Sequence, residues 1–172
     1  MNAKEQNMES ARDKVQSWLM SEGWQISEQA HSDFTWLITA QDAGDRRVVV
    51  GQSKARQDLL HLEAAVEPSN EYREMFATLP EDKRRETLWK LRFQLLSMNV
   101  DFSGVGEPLE AVLLTQRLYL DGLTKDTFVQ RFHLVRNAVI AVIWSIIQHL
   151  EGVEPPAEST ELTVKKSPQP KK

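Results

Sequence analysis

Apolar residues at Ala11, Val15, Trp18 and Leu19 fall at the three-to-four spacing of one helical stripe, with polar residues between them. The spacing predicts a helix over residues 3–22, and Gly23 suits its C-terminal cap. From Trp24 the period drops to two. Trp24, Ile26 and Glu28 mark a short strand, and Phe34, Trp36, Ile38 and Ala40 alternate with Asp33, Thr35, Leu37 and Thr39. Asp42 to Asp45 carries turn chemistry, Val48, Val49 and Val50 mark the next strand, and Leu60, Leu62, Ala64 and Val66 alternate again. Residues 24–67 therefore predict an antiparallel meander of three or four strands joined by tight turns.

Pro68, Ser69 and Asn70 end the meander, and a short helix is expected over 70–78. Thr78-Leu79-Pro80-Glu81 has the form of a capping box, with threonine as cap and glutamate answering three residues on. The helix it opens carries two apolar stripes: Leu88, Leu91 and Leu95 on one side, Trp89, Phe93 and Leu96 on another, about 100–140° away on a 3.6-residue wheel. Asn99 to Gly106 reads as strand and turn. Residues 111–120 alternate with both sets mostly apolar, which predicts a central strand covered on both faces.

The last helix has the fullest set of local signals. Thr124 is an N-cap, Asp126 suits the positive end of the helix dipole, and Leu123 with Phe128 has the spacing of a hydrophobic staple. Phe128, Phe132, Val135, Val139, Val142, Ile143, Ile146 and Leu150 then line one long stripe. Beyond Glu151, prolines, serines, threonines and lysines offer too little apolar surface to fold. The expected organisation is a single α+β domain over 1–151 and a disordered tail over 152–172 that ends in Lys165, Lys166, Lys171 and Lys172.

Helix, three or four strands, helix, two strands, helix: this order resembles the type III secretion chaperone-like fold, shared by small acidic secretion chaperones and several uncharacterised bacterial families. The resemblance covers residues 3–150 and rests on element order, size and acidity; the segment at 70–78 and the proline-containing tail depart from it. It implies a homodimer that offers a sheet and a flanking helix surface to an extended peptide, and it implies no enzyme.

Composition narrows the chemistry. The 172 residues include no cysteine, which excludes disulfides, thiolate metal sites and cysteine nucleophiles. The net charge of −4 argues against nucleic acid as a partner, since the clusters Arg46–Arg47 and Lys83–Arg85 sit beside acidic residues. No apolar run reaches the roughly 20 residues of a membrane span. With no signal-peptide pattern at the N-terminus, a cytoplasmic location is expected. His31, His61, His133 and His149 show no metal-binding spacing, although His61 and Glu63 share one strand face. Gly104 and Gly106 lead into a strand and not a helix, so they read as a turn and not as a phosphate loop. No catalytic, cofactor or metal residue is assigned.

Two features exceed a plain core. On the helical wheel Arg92 falls between Leu88 and Leu96, and Arg136 between Ile143 and Ile147, so each either reaches the rim or pairs across an interface. Trp89, Phe93, Trp144 and Leu134 add more apolar surface than one sheet face uses. These six residues form the candidate interface of a homodimer that binds a protein or peptide. The alternative is a small-molecule or catalytic domain with a pocket between sheet and last helix.

Overall fold

The computed structural model describes residues 3–150, with the backbone course alone for residues 3–10, 149 and 150. The expected disordered tail lies outside the described residues. Among the described residues, four α-helices and six strands follow in order: α1 (Ala3–Ser21), β1 (Gln25–Glu28), β2 (Phe34–Gln41), β3 (Arg47–Ser53), β4 (Leu59–Val66), α2 (Asn70–Thr78), α3 (Glu81–Ser97), β5 (Asp101–Ser103), β6 (Val112–Tyr119) and α4 (Lys125–Leu150). The strands form one six-stranded antiparallel sheet in the order β1-β2-β3-β4-β6-β5, so the fold is α+β as the patterning implies. The described residues divide into two compact units: those up to Ala64 with Thr115–Arg136, and Ala65–Leu114 with Asn137–Leu150.

In the first unit, α1 ends as its glycine requires. Gly23 sits at φ +81°, its amide donates to Met20 O, and the Trp24 amide reaches back to Leu19 O, each at 3.0 Å. This pair of bonds satisfies carbonyls that the helix end would otherwise leave open. Val15 and Leu19 are buried, Trp18 lies 5.7 Å from Phe128, and Trp24 meets Phe132 edge-on at 4.7 Å. The β2–β3 turn is tied by Asp42, whose Oδ1 accepts from the amides of Gly44 and Arg46. Trp36 through Ala40 are all buried, so β2 is covered on both faces. Its one buried indole donor, on Trp36, bonds Gln52 Oε1 at 3.0 Å, and Gln52 in turn donates to Gln57 O.

Lys125, in the first turn of α4, holds Glu22 at 2.9 Å. The hydrogen bond and charge of Lys125 keep the Glu22 carboxyl below its ordinary 4.5. The folded state therefore binds fewer protons than the unfolded chain in the interval between the two values. The pair's stabilisation is present above about pH 4.5 and lost as pH falls through the folded value. Lys125→Met should move the Glu22 midpoint up toward 4.5 in a carboxylate-detected NMR titration; an unmoved midpoint would show that the pair does not form in solution.

Two local expectations fail for physical reasons. Thr78 does not cap α3. It remains the last residue of α2, where its hydroxyl donates to Met75 O at 2.7 Å, and α3 starts after Pro80 with no side-chain cap. Ser69 caps α2 instead, accepting from the Tyr72 amide. Strand β6 is buried on one face only: Val112, Leu114, Gln116 and Leu118 face inward, whereas Leu113, Arg117 and Tyr119 are exposed. Leu113 and Tyr119 on the outer face have no covering layer, and the inward face takes a polar residue, Gln116, which accepts from Arg131 at 2.9 Å. The N-cap of α4 forms as its sequence predicts, with Thr124 Oγ1 accepting from the Thr127 amide at 3.1 Å.

Candidate functional site

In the second unit, α3 buries Leu88, Leu91 and Leu95 and turns its other stripe outward. Trp89 is 50% exposed, Phe93 63% and Leu96 62%, and on α4 Trp144 is 69% exposed. The two helices are joined at this level by a 3.1 Å hydrogen bond from Ser145 to Gln94, each one residue from an exposed aromatic. A folded chain gains nothing by leaving four large apolar groups in water, and contiguous patches of this kind mark contact surfaces.

The face is held in shape. Trp89 and Phe93 stack with ring centroids 5.7 Å apart, and the Arg92 guanidinium lies 5.0 Å from the Trp89 ring. Arg92 is itself anchored, since its Nε and Nη2 donate to Val105 O at 3.0 and 2.6 Å. The turn that presents this carbonyl depends on Gly104, at φ +81°. A side chain fixed before binding loses less freedom on binding, so this arrangement favours association. One border of the stripe is charged: Lys90 holds Glu86 at 2.7 Å, with Lys83 at 3.5 Å. Both cations, Lys90 first, keep the Glu86 carboxyl below its ordinary range.

Of the six residues expected at an interface, Trp89, Phe93, Arg92 and Trp144 belong to this unit, and Leu96 joins them. Leu134 is half-buried in the first unit. Arg136 is also in the first unit, 3.6 Å from Asp42, a carboxylate that pairs with Arg46 at 2.7 Å. Arg92 and Arg136 thus both find acceptors within their own chain.

Residues 11–146 match the family described as Uncharacterized conserved protein (DUF2299). The chain belongs to that family. Among solved structures, this DUF2299 protein is similar to an uncharacterized protein from Methanothermobacter thermautotrophicus, with 25% identity, 81% of this chain and 99% of the other covered, and a TM-score of 0.74. A looser likeness, to the ExsC-ExsE complex, has 18% identity over 72% of this chain and 79% of that one, with a TM-score of 0.42; at that score it bears no functional weight. No curated protein matches the sequence.

His61 and Glu63 approach to 3.9 Å on one strand face, and no third ligand joins them: among the described residues no three His, Asp or Glu side chains converge as a metal site would require. Among the same residues, no helix is long and apolar enough to cross a membrane. A pocket of about 350 Å³ opens between α2, α3 and residues 107–110. Its walls contain no residue of the sheet or of α4, so it is not the pocket that patterning suggested.

Proposed function

We propose that this DUF2299 protein is a protein-interaction module that pairs with a second copy of itself through the outer stripe of α3 and the exposed side of α4 around Trp144. The observation that carries the reading is the set of four large apolar side chains, each half or more exposed, on two helices of one unit. At roughly 200 Å² for a large side chain, these fractions leave on the order of 500 Å² of apolar surface per protomer. A two-fold pairing covers about twice that, close to the roughly 1,000 Å² at which an interface becomes stable. Two-fold symmetry suits such a patch because the same surface serves both partners. β5, at the end of the sheet, lies in the same unit as the patch, and it supports the further part of the reading: the dimer offers an extended protein or peptide segment an edge beside an apolar face. The same proposal places the module in the cytoplasm, as one domain over 1–151.

Light scattering after size exclusion, across micromolar concentrations, tests the pairing. The wild-type chain should run as a dimer. Trp89→Glu and Trp144→Glu should each give a folded protein whose dimer is weaker by about 2 kcal/mol or more, roughly thirty-fold in dissociation constant. A wild type that is monomeric throughout overturns the reading.

A further inference from the structure

The pocket in the second unit has an apolar floor and walls of both charge signs. Phe76 and Leu109 are buried beneath it, and Arg73, Arg84, Glu107 and Glu110 line it. Its volume of about 350 Å³ falls in the range of roughly 300–1,000 Å³ usual for small-molecule sites.

The two guanidiniums are fixed by the main chain. Arg73 donates from Nε to Pro68 O at 3.0 Å and from Nη2 to Glu67 at 3.1 Å, which leaves Nη1 open. Arg84 donates from Nε to Glu107 at 3.2 Å and from Nη1 to the carbonyls of Ala77 and Leu79, which leaves Nη2 open. Glu110 is exposed, and its side chain takes no hydrogen bond or ion pair from any described residue. Arg73 and Arg84 are thus held in place by acceptors that do not use all their donors, while a carboxylate waits unpaired on the same wall. A plain anion would meet two carboxylates here and a plain cation two guanidiniums. A ligand that carries both charges beside an apolar group meets neither conflict.

We propose that this pocket binds a zwitterion with an apolar side chain, of the free α-amino-acid class. Its carboxylate takes the open donors of Arg73 and Arg84, its ammonium takes Glu110, and its side chain rests on Phe76 and Leu109. The site is separate from the aromatic face of α3 and α4, so it stands or falls independently of the dimer.

Calorimetric titration of the full chain with L-phenylalanine and L-leucine tests it. L-phenylalanine should bind saturably. 3-Phenylpropanoate, which lacks the ammonium, 2-phenylethylamine, which lacks the carboxylate, and glycine, which lacks the side chain, should each bind about ten-fold more weakly or not at all. Glu110→Gln alters an exposed residue without a partner, so it should leave the thermal midpoint in place and weaken L-phenylalanine about ten-fold. Ala77→Phe, at an exposed position on the pocket wall, should abolish binding. No saturable binding of either amino acid up to about 10 mM, a range that still detects interactions of a few kcal/mol, overturns the proposal. So does binding that survives Glu110→Gln and Ala77→Phe unchanged.

Discussion

Val142→Asp should leave the protein unable to hold its native fold. Val142 has no exposed surface, and its neighbours one turn away on α4 toward the core, Ala138, Val139 and Ile146, are buried as well. The remaining neighbour at that spacing, Ser145, already donates to Gln94. No basic side chain lies within four residues along the helix, so an aspartate there would be ionised without a partner or forced to take up a proton. An unpaired buried charge costs several kcal/mol even after relaxation, against a total stability of about 5–15 kcal/mol. Val142→Ala separates the two effects, since it removes only methyl groups and should cost about 1–3 kcal/mol. Circular dichroism and a thermal melt decide the matter: a soluble aspartate variant that melts cooperatively within a few degrees of wild type would show that Val142 is not in the core.

Gly104→Ala is expected to be the most damaging single-methyl change. The residue sits at φ +81°, and a Cβ built there would lie 1.9 Å from the carbonyl oxygen of Ala111. The backbone conformation alone costs a non-glycine residue about 1–2 kcal/mol. The collision adds to this, because the obstacle is main chain and cannot rotate away. Relief requires the turn to shift, and the turn presents Val105 O to Arg92. A total of about 3 kcal/mol or more corresponds to a fall of roughly 6–12 °C in thermal midpoint for a chain of this size. Gly23→Ala is the control. It has the same φ of +81° but open space around it, so it should lose only the conformational part. Equal effects at the two positions would refute the steric account. Gly104→Ala should also loosen the Trp89 indole, which would be read as a change in tryptophan fluorescence.

Val142 and Gly104 differ in how much of their role the sequence reveals. Val142 falls on a long apolar stripe and is legible as core without any structure. Gly104 is legible as a turn, but the nearness of Ala111 O is not, because the six residues of chain between them have to fold back first. The same division runs through the candidate sites. The surplus of Trp89, Phe93 and Trp144 can be counted on a helical wheel. The pocket cannot be anticipated in that way: Arg73, Arg84 and Glu110 come from α2, α3 and the segment before β6, with no spacing that links them.

What the sequence determined by itself is whatever one or two turns of chain decide: the end of α1 at Gly23, the Asp42-anchored turn, the capped start of α4, and which helix stripes are apolar. These depend on backbone preference and on hydrogen bonds between residues a few positions apart, and they form as patterning implies. Tertiary structure alone decided the rest. It placed β6 beside β4, with α2, α3 and β5 lying between them in the chain. It left one face of β6 open, gave Arg136 to Asp42, and kept Thr78 in α2 rather than at the head of α3. In each case competing partners of similar local merit were available. The choice among them was made by burial and charge pairing between distant segments, which a periodicity does not record.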